Sequence, residues 1–350
     1  MKCYLGIDIG SLTAKFVLID AKNKVLFSRY FRTEGRPIEA IKRGLRELKE
    51  FIESHNPEVD PGRNFKENQK SHSQMAEISN GVEISGVGTT GSGRYLAGAI
   101  IGADLIKNEV TAHARGVSQF VPSARTVIEI GGQDSKIIIL ENGVVVDFAL
   151  NLICSAGTGA FLDAQSFRLG IPVEKFGEIT LRSKNPTTIG SRCSVFAESD
   201  MIHKQQIGHK IEDIVAGLCQ GLARNYLAGV GKGKKILPPI VFLGGVSENV
   251  GMRKAFKDAL NEEISVPPHN TVMGAVGAAL LVKENYQSYK VLSAPTKFRG
   301  FEISDKDIKC TSFQCQGCPN QCEVIEARIE EKVVARWGDR CGKWSNLTIS

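Results

Sequence analysis

The chain has 350 residues, of which 42% are apolar and 23% charged, values that exclude a disordered or fibrous protein. At about 150 residues per domain the length suggests roughly two to three domains, with a sizeable buried core. The net charge of +6 is spread over the whole length, too dilute for nucleic-acid binding by charge alone, and no apolar run reaches the ~18 residues of a membrane span.

In chain order, three strand-like runs come first, Cys3–Ile9, Ala14–Ile19 and Val25–Phe31, joined by turn-like Gly10-Ser11 and 20–24. Asp8 interrupts any signal-peptide core at the start, so a cytoplasmic location is expected and the nine cysteines should be reduced. Ile38, Ile41, Leu45, Leu48 and Ile52 then recur at helical spacing behind Pro37. Residues 56–80 are polar and aperiodic, and read as a mobile surface insertion. A short strand, Val82–Val87, runs into the glycine-rich segment Gly86–Gly93 ahead of a helix.

The order then repeats. Thr126–Ile130, Lys136–Leu140 and Val144–Phe148 form a second set of three strands, followed by helical stretches at 155–169, 194–206 and 210–230. Ile240–Leu243 reads as a buried strand entering Gly244-Gly245, with helices at 249–260 and 272–283 behind it. Two halves that each open with a three-strand meander suggest an internal duplication with a cleft between them. The expected division is 1–122, 123–294 and, after a change of character near Pro295, a cysteine-rich module at 296–350. The helix at 272–283 should pack back on the first part.

Glycine makes up 36 residues, roughly 10% against an average near 7%, and three glycine turns stand out. In Asp8-Ile9-Gly10-Ser11-Leu12-Thr13-Ala14-Lys15, backbone N–H groups, the Ser11 and Thr13 hydroxyls and the Lys15 ammonium can face a polyphosphate. Asp8 can hold Mg²⁺, a hard cation that takes oxygen ligands. Alone, the segment is equally an ordinary polar hairpin. A second turn at the same place in the second meander, Gly131-Gly132-Gln133-Asp134-Ser135-Lys136, and a third, Gly244-Gly245, shift the balance to nucleotide binding. Cys154 and Cys193 each stand directly before a helical stretch, whose positive end favours thiolate, although buried structural cysteines read the same way.

These residues carry a resemblance. The three glycine turns and Gly274-Ala275-Val276-Gly277 resemble the phosphate, adenosine and connecting motifs of the acetate and sugar kinase, Hsp70 and actin superfamily. Within it, residues 3–283 are most similar to the ATP-dependent activators of 2-hydroxyacyl-CoA dehydratases and the ATPase subunits of benzoyl-CoA reductase. The diagnostic runs are Gly88–Arg94, Asn108–Ala114, Cys154–Gly159 and Cys193–Ser199.

The resemblance implies an α/β fold of two ribonuclease-H-like, actin/Hsp70-type subdomains around an ATP cleft. It also implies a homodimer whose Cys154 and Cys193 pairs together hold one [4Fe–4S] cluster. The activity implied is ATP hydrolysis that gates a low-potential electron to a partner iron–sulfur dehydratase or reductase, with ferredoxin or flavodoxin upstream. Asp8 and Asp134 are the expected Mg²⁺ and water ligands, Lys15 the γ-phosphate contact and Gln133 the residue orienting water. Glu109 is either the base or a solvated helix carboxylate. His113 is expected to be a satisfied core or surface residue, and Asn249, with Glu248, resembles the adenosine side. A small-molecule kinase of the same superfamily, or an Hsp70-like switch with a structural metal, are the alternatives.

Five cysteines lie between 310 and 341. Their spacing suits zinc or a second Fe–S cluster, and a likeness to longer activase-like proteins, whose similar Cys-rich segment ends in Asp-Arg-Cys-Gly (here Asp339-Arg340-Cys341-Gly342), favours Cys315, Cys318, Cys322 and Cys341, with Cys310 as an extra.

Overall fold

The computed structural model describes residues 1–54, 81–151, 154–190, 193–288 and 295–345. The insertion expected at 56–80 lies outside the described residues. The chain forms two compact units, Met1–Ala112 with Gly274–Ser350, and His113–Met273.

In the first unit, β1 (Lys2–Ile9), β2 (Thr13–Asp20) and β3 (Val25–Arg32) form an antiparallel meander. After α1 (Pro37–Ser54) the chain adds β4 (Glu83–Thr90) parallel to β1, then α2 (Arg94–Ile101) and the two-residue β5 (Leu105–Ile106), giving the order β3-β2-β1-β4-β5. β1 is buried from Cys3 to Ile9, so its sequence is a continuous apolar run with Asp8 as the sole exception. Pro37 opens α1 where its missing N–H costs nothing. Ile41, Leu45 and Leu48 are buried along one face, each contributing about 1.5–3 kcal/mol by burial. Phe16 and Phe31 stack beneath that helix at 6.1 Å.

The second unit repeats the plan. α3 (Glu109–Phe120) carries the chain across the boundary into β6 (Thr126–Ile130), β7 (Ser135–Glu141) and β8 (Val144–Asn151), again an antiparallel meander. The helices α4 (Gly159–Leu169), α5 (Val173–Arg182), α6 (Ser194–Gln206) and α7 (Ile211–Gly229) follow, then β9 (Ile240–Leu243), α8 (Val250–Leu260) and β10 (Ile264–Ser265). The order β10-β9-β6-β7-β8 is that of the first sheet, with β9 parallel to β6 as β4 is to β1. Tyr226, Phe242 and Phe256 meet edge to face at 5.2–5.3 Å in its core. The mixed α/β architecture of two ribonuclease-H-like halves is therefore present.

The divisions differ in detail from those read in the sequence. The first boundary falls at Ala112/His113, inside α3, rather than at 122, because one continuous helix serves both units. The second falls at 273/274, so α9 (Met273–Ser288) belongs almost wholly to the first unit. There its backbone lies directly on the sheet: a Cβ on Gly6 would sit 1.9 Å from the Ala275 carbonyl and one on Gly88 2.3 Å from that of Ala278. Only glycine allows strand and helix to approach so closely.

The segment expected as a separate module at 296–350 also clusters with the first unit. Ile303 and Ile308 are buried in the first core, and Phe298, Phe301 and Ile329 pack against it, while Arg299 N–H donates to the Ile101 carbonyl at 2.9 Å. The segment ends in a three-stranded antiparallel sheet, β11 (Ile308–Gln314), β12 (Glu323–Ile329) and β13 (Lys332–Trp337).

Candidate nucleotide loops and cysteine pair

The β1–β2 and β6–β7 turns are built alike. In the first, Gly10 N–H donates to the Thr13 carbonyl at 2.9 Å; in the second, Gly131 N–H donates to that of Asp134 at 3.0 Å. Behind each turn a carboxylate and a lysine pair across the strands, Asp8 with Lys15 and Glu129 with Lys136. The Lys15 Nζ–Asp8 distance is 3.2 Å and the Lys136 Nζ–Glu129 distance 2.7 Å. By register, then, the counterpart of Asp8 is Glu129, a residue the sequence reading did not single out, and Asp134 stands where Thr13 stands. The signal was there: Glu129-Ile130-Gly131 repeats Asp8-Ile9-Gly10, with a lysine seven residues on.

Glu129 sits at the centre of the second unit's loops. A Cβ on Gly244 would lie 2.9 Å from Glu129 Oε1, and one on Gly131 3.6 Å from it. Burial pushes the Glu129 carboxyl above its usual range, against the pull of Lys136 and His113. Lys136 is bridged further to Asp134 at 3.1 Å. His113 itself is buried, at 5% exposure. Gln133 is exposed at the loop tip, and Asp134 is half-buried.

The third turn is stapled into the same unit. Gly244 adopts φ +84°, its Cβ position 2.2 Å from the Ile130 carbonyl, which restricts this site to glycine. Its N–H donates to the Asn270 carbonyl at 3.1 Å, and Asn270 Nδ2 donates to Ser247 Oγ at 2.7 Å and to Glu248. Asn249 caps α8, its Oδ1 accepting Met252 N–H at 3.1 Å. In the first unit Glu109 opens α3 behind the Asn108 cap, which accepts Thr111 N–H at 2.9 Å.

Among the described residues, five buried side-chain polar atoms have no hydrogen-bond partner, and three of them flank these loops. Thr90 Oγ1 belongs to the residue paired with Asp8, Ser135 Oγ lies in the second loop, and Asn249 Nδ2 adjoins the third turn. Buried polar groups are normally satisfied, so an unsatisfied atom beside each turn fits loops that complete their bonding with a polar ligand such as a nucleotide.

The cysteine-bearing segments adjoin the second loop. Gly159 and Ala160 N–H, the first donors of α4, bond to the Gly131 and Gly132 carbonyls, both at 2.8 Å. Upstream, Ser155–Gly157 is a 3-10 turn rather than the start of a helix running from 155, because those α4 donors are taken by the loop. A Cβ on Gly157 would lie 3.7 Å from Ser135 Oγ. Cys154 therefore precedes a short turn, whereas Cys193 directly precedes α6. Ser155 and Ser194, their chain neighbours, share a hydrogen bond of 2.9 Å between hydroxyls, and Arg168 of α4 pairs with Glu198 of α6. Cys154 is exposed and Cys193 half-exposed, whereas burial pushes the thiols of Cys3 and Cys219 up to about 11. Two accessible thiols per chain, on segments joined by that serine pair, are half of the set that a [4Fe–4S] cluster requires.

The profile of the BadF/BadG/BcrA/BcrD ATPase family matches residues 5–282. The chain belongs to that family. It is 33% identical over 276 residues to the (R)-2-hydroxyglutaryl-CoA dehydratase activating ATPase of Acidaminococcus fermentans, covering 79% of this chain and 95% of that one. It is 40% identical over 199 residues to the 2-hydroxyisocaproyl-CoA dehydratase activator of Clostridioides difficile, covering 57% and 73%. The solved structure of a Clostridium difficile activator of that dehydratase with bound ADPNP superposes with a TM-score of 0.69 at 31% identity, over 83% of this chain and 98% of the other.

As a BadF/BadG/BcrA/BcrD-type ATPase the chain binds and hydrolyses ATP, and the three glycine turns lie inside the matched region. The match ends ahead of the cysteine-rich sheet. There the structure brings Cys315 and Cys322 together, Cys315 N–H donating to the Cys322 carbonyl at 2.9 Å, but leaves Cys310 inside β11 opposite Ala327. The Trp344 indole N–H, with the Gly317 N–H, holds the Cys315 thiol below its usual range. Among the described residues no three His, Cys, Asp or Glu side chains stand ready around a common metal position, and no helix is long and apolar enough to cross a membrane.

Proposed function

We propose that this chain is an ATP-driven activator of a 2-hydroxyacyl-CoA dehydratase or a related iron–sulfur reductase. Two copies would hold one [4Fe–4S] cluster through Cys154 and Cys193 of each, since two thiolates from each side of a two-fold axis complete a four-cysteine set. When bound, such a cluster would supply a low-potential electron for the partner, with a ferredoxin or flavodoxin as the upstream donor.

The observation that carries this reading is the hydrogen-bonded route within the second unit. It runs from the Gly131-Gly132 carbonyls to the first N–H groups of α4, and from Ser155 to Ser194 beside Cys193. A change at the loop that follows the γ-phosphate moves α4 directly, and through the serine pair it moves α6. Nucleotide drives such a change only by binding the two arrangements with different affinity.

The residues divide the work as phosphoryl transfer demands, chiefly positioning and charge neutralisation. Asp8 and Asp134 are assigned to Mg²⁺ and its waters, Lys15 to the γ-phosphate and Gln133 to orienting the attacking water. Gly10, Ser11, Thr13, Gly131 and Gly132 present backbone and hydroxyl donors to the phosphates. Gly244, Gly245 and Asn249 receive the adenosine, and Glu109 takes up the proton from water.

The test is electron delivery by anaerobically purified protein to a dehydratase of this class. Multiple turnover with ATP and none with a non-hydrolysable analogue is the expected result; equal rates would refute gating by hydrolysis. ATP turnover with no iron and no EPR signal on dithionite reduction would point instead to a kinase or a nucleotide switch.

A further inference from the structure

We propose that the C-terminal sheet carries a structural zinc ion bound by Cys315, Cys318, Cys322 and Cys341, a site independent of the cysteine pair in the second unit. The strand register is the first argument. Gln314 pairs with Glu323 and Ile325 with Trp337, so the exit of β11, the entry of β12 and the exit of β13 lie at one end of the sheet. Cys315 directly follows β11 and Cys322 directly precedes β12. Cys318 sits in the connection between them, its carbonyl accepting Gln321 N–H at 3.2 Å. Cys341 lies in the turn that follows β13.

That turn is folded back onto Cys315. The Trp344 indole N–H donates to Cys315 Sγ at 3.3 Å, its ring meets Phe313 edge-on at 4.9 Å, and its backbone N–H bonds Asp339 Oδ2 at 2.8 Å. Cys341 is thus held between two residues, Asp339 and Trp344, that are fixed to each other and to Cys315. Gly317 N–H, two residues beyond Cys315, points at the same sulfur at 3.4 Å. A sulfur accepting two N–H donors is arranged as a metal-bound thiolate is, because a neutral thiol is a weak acceptor. The Lys343 ammonium, 3.3 Å from the Cβ position of Gly317, adds positive charge beside a four-thiolate centre.

β11 is exposed from Lys309 to Ser312, and in β12 the residues buried near this end are Val324 and Glu326. A sheet of this size needs a partner surface or a staple. The partner surface, at Ile303, Ile308 and Ile329, lies at the opposite end. Cys310 is excluded by reach: five residues back from Cys315 along extended chain is ~16 Å, against Zn–S bonds of ~2.3 Å. Cys318 and Cys341 are exposed and Cys322 half-exposed, so their side chains can change rotamer when a metal binds. Short-spaced cysteine sets of this kind take zinc as a closed structural site, each thiol releasing its proton on binding.

Both tryptophans of the chain, Trp337 and Trp344, lie in this segment, so intrinsic tryptophan fluorescence reports on it alone. The full-length protein should carry one zinc per chain by elemental analysis. Cys154→Ser and Cys310→Ser should keep that zinc. Cys318→Ser and Cys341→Ser should lose at least nine-tenths of it, while Cys341→His, which keeps a zinc ligand, should retain it. Chelation of zinc should shift the tryptophan emission, and loss of iron should not. Wild type with under a tenth of an equivalent, zinc unchanged in Cys318→Ser and Cys341→Ser, iron in place of zinc, or a Cys315–Cys318 disulfide on mass analysis would each overturn the proposal.

Discussion

The two glycine hairpins are copies with different surroundings. In the first, Asp8 meets Lys15 at 3.2 Å, and the lysine side chain retains 15% exposure. In the second, Glu129 and Lys136 are sealed at 7% and 3%, Lys136 holds Asp134 as well, and the adjoining carbonyls anchor α4. The first loop can therefore exchange its ion pair for a ligand at small structural cost. The second is part of its unit's frame, and whatever moves it also moves the cysteine-bearing segments. In the proposed function, one duplicated turn serves contact with the ligand in one copy and transmission in the other.

The sharpest way to break this contrast is to remove each lysine. Lys136→Met leaves the buried Glu129 beside Asp134 without its lysine, and should cost about 3–5 kcal/mol in denaturant unfolding. Lys15→Met should cost less, because Lys15 is the more exposed of the two lysines and its bridge is the longer, at 3.2 Å against 2.7 Å. Equal losses would mean that the two pairs are equivalent. Asp8→Asn should then show the reverse bias, lowering ATP hydrolysis on the order of 100-fold, as removal of one charge-stabilising group does, with little change in melting temperature. A fall in melting temperature to match would make Asp8 a framework residue instead.

A smaller effect sharpens the alkaline behaviour of the second unit. Burial holds the Cys219 thiol at about 11, above its ordinary 9.0. Between those values the unfolded chain gives up the proton and the folded chain keeps it, so stability falls as pH rises from 9 towards 11. The gap of two pH units is worth about 2.7 kcal/mol. Cys219→Ala should flatten this alkaline slope in urea titrations at successive pH values; an unchanged slope would assign it elsewhere. Least of all, Ser194→Ala should cost about 0.5–1.5 kcal/mol or less, its bond to Ser155 being exposed. It should nevertheless weaken the response of an EPR signal to nucleotide, and an unaltered response would remove the serine pair from the route.

Much of the fold was legible because its central strands are buried on both faces, so that Ile137–Leu140 and Ile240–Leu243 appear as unbroken apolar runs. The glycine turns were equally plain. Glu129 was missed because a carboxylate within a strand reads as solvent-facing until its cross-strand lysine is known. α5 was missed because the face it buries is Phe176, Gly177 and Thr180, which dilutes the apolar stripe. The C-terminal sheet was hidden for a related reason: β12 places the charged residue Glu326 inside, clamped by Arg328 and Arg336, where an apolar side chain would have announced the strand. The 3-10 turn after Cys154 depends on hydrogen bonds to a loop more than twenty residues earlier, which local pattern cannot reveal.

The central claim is that Cys154 and Cys193 supply half of an iron centre shared by two copies. Iron analysis of the anaerobically isolated wild type beside Cys154→Ser and Cys193→Ser tests it most directly. About two irons per chain in wild type and almost none in either variant is the predicted result. Undiminished iron and an unchanged spectrum in the variants would contradict it.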